Sequence, residues 1–313
     1  MTFTDRLVHV LSRLGINRDR YKVNPGIYAL GHPAGDSPVF VTANYALSFD
    51  ALRTSLSEFD CYILVLDTKG INVWCAAGKG TFGTNELVNR IELTSLKQIV
   101  THRKLILPQL GAPGIAAHEI QKQTGFHVEY GPVRAEDLRE YLNTQQATPE
   151  MRRIRFDLKN RLLLVPVELV SMLLPLFIVS TALYFLGGLW SSLSVAAAML
   201  AGVTLFPVLL PWIPTHNFST KGFILGGIIA LPFALSQILI HTGNAWWLIG
   251  VWVLVYILIL PPITAFLSLN FTGATTFTSR SGVKKEIYKY IPIMAWTFGA
   301  GLILSITFTL ISI

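Results

Sequence analysis

Cys61-Tyr-Ile-Leu-Val-Leu-Asp-Thr-Lys-Gly-Ile-Asn-Val-Trp-Cys-Ala-Ala-Gly-Lys79 is the stretch that says most about the N-terminal half of this chain. Residues 61–66 are apolar and predict a buried β-strand, and Asp67-Thr-Lys-Gly70 predicts a turn. Gly80-Thr-Phe-Gly83 then leads into a helical pattern that begins at Thr84. The chain therefore passes from a strand to a helix around Cys75, the position at which open α/β sheets bind cofactors.

Strand and helix patterns alternate through residues 38–143. Strands are predicted at 38–42, 61–66, 104–108 and 127–130, and helices at 48–58, from about 85, at about 114–123 and at 135–142. Ser48 is the expected N-cap of the first of these helices. The alternation predicts a mostly parallel sheet covered on both faces, in a Rossmann-like α/β domain over residues 1–143.

The turns that follow the predicted strands are rich in glycine and other small residues. They read Thr42-Ala-Asn44, Asp67-Thr-Lys-Gly70, Gln109-Leu-Gly-Ala-Pro-Gly114 and Gly131-Pro-Val133. Each turn alone is explained by ordinary turn chemistry. All four leave the carboxyl ends of their strands, where small residues let a ligand approach the backbone closely. Together, beside Cys75, they favour a binding site for a broad and flat ligand.

The second half of the chain has the composition of a membrane protein. The whole sequence is 52% hydrophobic, with a mean hydropathy of +0.51. A polar and then basic linker is predicted at 144–161, followed by an all-α transmembrane domain at 162–313. Each of five segments is long enough to cross a hydrocarbon core of about 30 Å as a helix. These segments are 162–186, 191–213, 223–241, 245–268 and 290–313.

The net charge of +7 lies beside and within the membrane half. Residues 152–161 carry five basic residues and one acid, and more basic residues lie at Lys221 and at 280–289. With five spans, all of these fall on one side. The positive-inside rule then places the α/β domain in the cytoplasm and the C-terminus outside the cytoplasmic membrane. The neutral N-terminal half argues against nucleic-acid binding, and the scarcity of charge in the spans argues against a transporter or pump.

Two further features limit the chemistry of the chain. An iron–sulfur cluster needs about four thiolates, which its two cysteines cannot supply. In the cytoplasm a disulfide between them is not expected. The N-terminus predicts a short amphipathic helix rather than a signal peptide, from the spacing of Phe3, Leu7, Val10, Leu11 and Leu14.

Cys61 and Cys75 have different sequence surroundings. Cys61 lies in an apolar strand, where a cysteine usually serves packing. Cys75 lies at a predicted helix start with Lys79 one turn later, and both a helix N-terminus and an ammonium group favour a thiolate. A thiolate is a nucleophile or a soft metal ligand. The nucleophile would need a general base, and the histidines that could approach it in space lie outside the motif: His102, His118 and His127.

Seven segments share their pattern with one protein family: Asn24-Pro-Gly26, Val41-Thr-Ala-Asn-Tyr45, Leu66-Asp-Thr-Lys-Gly70, Asn72-Val-Trp-Cys-Ala-Ala-Gly-Lys79, Gln109-Leu-Gly-Ala-Pro-Gly114, Tyr130-Gly-Pro-Val-Arg134, and Asn270-Phe-Thr-Gly273 with Thr278-Ser-Arg-Ser-Gly-Val283. With these segments and its five-span tail, nearly the whole chain resembles the membrane corrinoid protein of microbial mercury methylation (the HgcA family). The soluble half is more distantly similar to the corrinoid domain of the large subunit of the corrinoid iron–sulfur protein, whose iron–sulfur module is missing here.

The resemblance implies a corrinoid-dependent methyltransferase that transfers a methyl group from cobalt to mercury(II) and so produces methylmercury. It implies a cobalamin-type corrinoid bound with its own base displaced, and Cys75 as the lower axial ligand of cobalt. Together with the turns described above, the expected corrinoid-binding residues are Thr42, Ala43, Asn44, Asp67, Thr68, Asn72, Val73, Trp74, Cys75, Ala76, Ala77, Gly78, Lys79, Gly111, Ala112, Pro113, Gly114, Gly131 and Pro132.

The resemblance also implies protein partners. A ferredoxin-like iron–sulfur protein would supply electrons, and a methyl-donor protein or a methyl-folate system would supply the methyl group. One alternative is a membrane-anchored corrinoid methyl carrier of one-carbon metabolism, for which mercury is an adventitious acceptor. Another is a corrinoid-binding sensor without enzymatic activity. The sequence leaves open the methyl donor, the physiological acceptor and whether the protein is a homodimer.

Overall fold

The computed structural model of the chain describes residues 3–16, 20–243, 245–275 and 279–311. The chain divides into two compact units, Met1–Ile154 and Arg155–Ile313, and the boundary lies within the predicted linker. Thr278, which belongs to one of the seven resembling segments, lies outside the described residues.

The first unit is built on a five-stranded sheet. Its strands are β1 (Gly26–Leu30), β2 (Val39–Ala43), β3 (Cys61–Leu66), β4 (Lys104–Leu107) and β5 (His127–Tyr130). They lie in the order β1-β3-β2-β4-β5. The last four in this order pair in parallel, whereas β1 runs antiparallel to β3 at one edge. The predicted mostly parallel α/β sheet is confirmed.

Helices cover both faces of the sheet. On one face Leu64 of β3 belongs to a core that contains Leu87, and on the other Ile63 belongs to a core that contains Leu52. Successive residues of a strand point to opposite faces, so an apolar strand such as β3 is buried on both sides. The helices of this unit are α1 (Phe3–Arg13), α2 (Ala46–Ser55), α3 (Val73–Lys79), α4 (Thr84–Leu93), α5 (Leu96–Ile99), α6 (Ala117–Thr124), α7 (Leu138–Thr144) and α8 (Pro149–Arg152).

Three local details differ from the sequence prediction. The helix α2 begins at Ala46 after Tyr45, with no side-chain cap, so Ser48 is not its N-cap. The helix predicted from about 114 is instead a 3-10 helix at Gln109–Gly114 followed by α6. The strand β1 was not predicted, because this short edge strand is held by backbone pairing to β3, which a local pattern does not reveal.

The first unit also extends beyond residue 143. Thr148 caps α8 by accepting a hydrogen bond from the backbone N–H of Met151 at 3.3 Å. The side chain of Met151 is buried in the core beside α2 and α7, and its carbonyl accepts a hydrogen bond from Val133 N–H at 2.8 Å. Residues up to about α8 therefore stabilise this unit, although the sequence suggested that they are linker.

The second unit is helical. Among its described residues, four stretches are long and apolar enough to cross a membrane: Leu158–Leu209, Phe218–Ile240, Trp246–Gly273 and Ser281–Leu310. The last two therefore begin near or before their predicted starts, and the predicted basic connection at 280–289 is already helical. The helices of this unit are α9 (Leu158–Leu162), α10 (Val165–Leu200), α11 (Phe206–Leu209), α12 (Phe218–Ile240), α13 (Trp246–Asn270) and α14 (Arg280–Ile311).

The first of these four stretches contains a reversal of the chain direction. Gly188, within α10, has φ 77° and ψ −175°, a geometry outside the helix and open to glycine. Ser192 Oγ donates a hydrogen bond to the carbonyl of Ser180 at 2.8 Å. In a continuous helix these residues would lie about 18 Å apart along the axis. The chain therefore folds back at Gly188, inside the predicted connection at 187–190, and α10 comprises two antiparallel helices.

Among the described residues of the second unit, three charged side chains are buried, contrary to the expectation that its spans hold little charge. Arg161 and Lys221 donate hydrogen bonds to backbone carbonyls at the end of α11 and just after it, at 2.7 and 2.8 Å. Glu286 accepts a hydrogen bond from Ser219 N–H, in the first turn of α12, at 2.5 Å. These charges satisfy backbone groups that helix ends leave unpaired. The sequence reasoning had placed Lys221 and Glu286 in connections.

Candidate functional site at the carboxyl edge of the sheet

A cavity of about 340 Å³ lies at the carboxyl ends of β2 and β4. Among the parallel strands the chain moves from β2 to β3 in one direction and then to β4 and β5 in the other. The strand order therefore reverses between β2 and β4, and the crevice at such a reversal is where open α/β sheets bind ligands. Thr42 lines the cavity from the end of β2 and Leu107 from the end of β4.

The short helix α3 brings the cysteine motif to this edge. Asn72 is its N-cap, with extended backbone, and the Oδ1 atom of Asn72 accepts a hydrogen bond from Cys75 N–H at 2.9 Å. Gly80 ends the helix with φ 83°, in the left-handed region that favours glycine. Both ends of α3 are therefore set by the local sequence, and Cys75 lies in its first turn as predicted.

The two sides of α3 have different roles. Val73, Ala76 and Ala77 are buried in the core, because their spacing forms the apolar side of the helix. Trp74 and Cys75 are only partly buried. The methyl groups of Ala76 and Ala77 thus face the sheet, although the sequence reasoning placed both residues in the lining of the ligand site.

A network around Asn44 shapes the loop between β3 and α3. The Oδ1 atom of Asn44 accepts hydrogen bonds from Thr68 N–H at 3.1 Å, from Thr68 Oγ1 at 2.9 Å and from Gly70 N–H at 2.9 Å. Asn44 and Thr68 are both buried. Two of the expected ligand-binding residues therefore hold this loop, and with it the start of α3, in place.

Asp67 completes the same loop. Its carboxylate accepts hydrogen bonds from Lys69 Nζ at 2.7 Å and Lys69 N–H at 3.0 Å. The hydrogen bond from the Lys69 ammonium holds the pKa of Asp67 below its usual range. The backbone N–H of Asp67 donates to Glu86 Oε1 at 2.8 Å, which ties the loop to α4.

The glycines of the Gln109–Gly114 turn are explained by packing. A Cβ atom at Gly111 would lie 2.5 Å from the ring of Phe82, and one at Gly114 would lie 2.1 Å from the Phe82 carbonyl and 3.0 Å from Ala77 Cα. The turn therefore lies directly against α3 and the residues after it. Ala112 and Pro113 belong to the same 3-10 helix and do not line the cavity.

The structure thus brings only part of the predicted set to the cavity: Thr42, Asn72, Val73, Trp74, Gly131 and Pro132. Cys75 follows the lining residue Trp74 in sequence and is not itself among the residues that line the cavity. Ala43 is buried in the core, and Gly78 and Lys79 are exposed at the end of α3. Sequence reasoning missed several lining residues: Ser48, Pro108, Leu110, Val133, Arg134 and Leu138. Arg134 is the cation among the described lining residues. It belongs to the resembling segment Tyr130-Gly-Pro-Val-Arg134, and that membership could have indicated a role in the site.

The two cysteines differ in the structure as predicted. Cys61 is fully buried, and burial, with a smaller contribution from Asp60, raises the pKa of its thiol to about 12. Cys75 is partly exposed at the sheet edge. Cys61 is therefore a packing residue, and Cys75 is the accessible thiol of the described residues.

These features fit a corrinoid. A soft sulfur donor lies at an open edge, as an axial ligand to a flat macrocycle requires. The cavity offers a partly open, mostly apolar space with a few polar groups, a usual composition for a site that holds a bulky cofactor substituent.

Comparisons with known proteins concern the first unit. Residues 16–142 match the family described as CO dehydrogenase/acetyl-CoA synthase delta subunit. The chain is 32% identical over 130 residues to the acetyl-CoA decarbonylase/synthase complex subunit gamma of Methanopyrus kandleri, covering 41% of this chain and 28% of that protein. It is 34% identical over 118 residues to the subunit of the same name from Archaeoglobus fulgidus, covering 37% and 25%.

The chain thus spans between a quarter and three tenths of the length of these relatives. The matches support the expected relationship to corrinoid proteins at that general level. They concern the sheet that carries the candidate site and do not reach the helices of the second unit.

Proposed function

We propose that this chain is a membrane-anchored, corrinoid-dependent methyltransferase, and that its methyl acceptor is mercury(II). The observation that carries the proposal is the position of Cys75. Cys75 lies in the first turn of the capped helix α3, directly after Asn72, Val73 and Trp74, which line the cavity at the strand-order reversal. The resemblance of residues 72–79 to the mercury-methylation family supports the choice of acceptor.

Cys75 would hold the corrinoid through its sulfur, as a ligand of cobalt. The bound corrinoid would supply the methyl group. A thiolate donates more electron density to a metal than the imidazole or water that it would replace, and axial-ligand identity controls metal reactivity. Mercury(II) is an electrophile, so it must receive the methyl group with bonding electrons. Electron donation from the Cys75 thiolate would favour transfer of the methyl group together with its bonding electrons.

Asn72 and Trp74 would support this ligand. The hydrogen bond from Cys75 N–H to Asn72 fixes the first turn of α3 and hence the direction of the sulfur. Trp74, which lines the cavity and precedes Cys75 in α3, would exclude water from one side of the sulfur. Groups that orient a metal ligand in this way tune its donor strength.

The cavity would hold the nucleotide tail of the cofactor once its base is displaced. That tail carries a phosphate, and Arg134 supplies a guanidinium group at the cavity wall. Arg134 Nη1 also pairs with Glu136 at 2.8 Å, so its position is defined before a ligand binds. Guanidinium groups are well suited to phosphate because they present several donors in one plane.

The comparisons favour a second candidate, a corrinoid methyl carrier of one-carbon metabolism for which mercury is adventitious. The named relatives are subunits of an acetyl-CoA decarbonylase/synthase complex. This candidate uses the same site and membrane anchor and differs in the acceptor, which would be a nucleophile such as a thiol or a partner protein.

Under either candidate the chain needs partners. We propose a ferredoxin-like iron–sulfur protein as electron donor and a methyl-donor protein or methyl-folate system. We also propose a multi-pass location in the cytoplasmic membrane, with the first unit in the cytoplasm and the C-terminus outside, since the basic residues flank the spans on one side.

A transfer assay tests the proposal. The purified full chain is loaded with methylcobalamin and given either mercury(II) or a thiol acceptor, with free methylcobalamin and Cys61→Ala as controls. We expect methylmercury formation above the free-cofactor rate, retained in Cys61→Ala and lost in Cys75→Ala. Transfer to the thiol alone would establish the carrier function instead.

A further inference from the structure

The helix α1 exposes a continuous apolar strip. Phe3, Leu7 and Val10 are 82%, 48% and 54% exposed, and their spacing places all three on one side of the helix. An amphipathic helix of a globular unit normally turns this side toward the core. In α1 the apolar side faces away from the described residues of its own unit.

The polar side of α1 is the side that contacts the unit. His9 Nε2 lies 2.7 Å from Asp50 Oδ2, and Arg53 Nη2 lies 2.7 Å from Asp5 Oδ2. Arg53 Nε also donates to Asp50 Oδ1 at 2.6 Å, which joins both pairs into one network. The His9–Asp50 hydrogen bond and the Asp5–Arg53 ion pair thus fix α1 against α2 with its apolar strip directed outward.

The charges beside the strip indicate what covers it. Arg6 and Arg13 are exposed and lie along one margin of the strip, about two turns apart on the helix. An apolar strip bordered by basic residues is typical of helices that lie in the interface of an anionic bilayer. The second unit carries helices long and apolar enough to cross a membrane. With the membrane location proposed above, such a surface is present at high effective concentration.

We propose that α1 lies on the cytoplasmic face of the membrane, with Phe3, Leu7 and Val10 inserted among the lipid acyl chains and Arg6 and Arg13 at anionic headgroups. The occupant of the strip is lipid. This contact fixes the first unit against the bilayer by a second point besides the peptide connection to the spans. It is independent of the ligand and of the methyl acceptor proposed above.

The test uses the full chain in nanodiscs. A fluorophore is attached to Leu7→Cys in a Cys75→Ser background, and the buried Cys61 remains unlabelled. The matched control is Glu92→Cys, an exposed position on α4. Quenching by nitroxide-labelled lipid and by aqueous iodide is measured in discs with and without anionic lipid. We expect the label at position 7 to be quenched by lipid and protected from iodide, and the label at position 92 to show the reverse.

The arginines give a graded second arm. Arg6→Gln is expected to lower the ratio of docked to undocked α1 about fivefold in anionic discs, since one basic residue near an anionic surface contributes about that factor. In neutral discs the same change should have little effect. Iodide quenching at position 7 equal to that at position 92 would overturn the proposal. Protection from both quenchers would also overturn it, because the strip would then be covered by protein.

Discussion

The backbone N–H of Cys75 donates a hydrogen bond to the side-chain oxygen of Asn72 at 2.9 Å. This bond pairs one of the N–H groups that a helix N-terminus leaves free, and it holds the sulfur-bearing turn at the carboxyl edge of the sheet. The residue that caps α3 therefore also positions the proposed cobalt ligand.

Loss of this cap should weaken the site without removing the sulfur. Asn72→Ala is expected to destabilise α3 by about 1 kcal/mol and to reduce cobalamin affinity, whereas Asn72→Ser keeps a capping oxygen and should behave much like the wild type. Cobalamin titration of both variants checks this. Equal affinities for the alanine and serine variants would show that the cap does not position the ligand.

Arg134 should recognise the phosphate of the bound cofactor. Arg134→Gln is expected to weaken cobalamin binding by roughly tenfold or more, the range for a hydrogen bond to a charged group. Cobinamide, which lacks the nucleotide and its phosphate, is the matched ligand and should bind the variant and the wild type equally. A similar loss for both ligands would place Arg134 outside the phosphate contact.

The first unit should bind cobalamin without the second unit, provided that the fragment includes all residues of its core. A fragment of residues 1–154 keeps Met151 in the core, whereas one ending at 143 loses it. Loss of such a buried side chain costs about 2–5 kcal/mol, so only the longer fragment should be stably folded. Urea unfolding and cobalamin titration of both test this. A folded 1–154 fragment that takes up no corrinoid would mean that the spans complete the site.

Cys61 should be chemically silent. Its buried thiol has a pKa of about 12, against about 8.5 in an unfolded chain, so the folded protein keeps the proton that the unfolded chain loses. That contribution to stability is complete below the unfolded pKa and declines as the pH rises toward 12. At pH 8, iodoacetamide should modify Cys75 and leave Cys61 intact. The stability difference between wild type and Cys61→Ala should shrink above about pH 9.

Because the chain reverses at Gly188, the number of spans can be tested by the side of the membrane on which the C-terminus lies. Five spans place both Gly188 and the C-terminus outside when the first unit is in the cytoplasm, whereas four spans would return the C-terminus to the cytoplasm. Reporter fusions at position 188 and after residue 313 should therefore both be active outside. A C-terminal reporter that is active in the cytoplasm would contradict five spans.

The four parallel strands of the first unit were predictable because each is a short apolar run bounded by turn residues, and β3 matches its prediction at both ends. The location of the site was predictable because parallel strands place all their carboxyl ends at one edge. The sequence did not predict whether a given residue lines the cavity or packs in the core. Ala76 and Ala77, for example, look like cavity-lining residues until it is known which side of α3 packs against the core. The position of Arg134 at the cavity wall was likewise not predictable, because it depends on the path of the chain after β5.

The central claim is that Cys75 is the axial ligand of a bound corrinoid, and the optical and EPR spectra of the cobalamin-loaded full chain test it most directly. The wild type should show a spectrum distinct from free cobalamin, Cys75→Ala should lose that difference, and Cys75→His should retain the cofactor with altered ligation and reduced mercury methylation. An unchanged spectrum in Cys75→Ala would contradict the assignment.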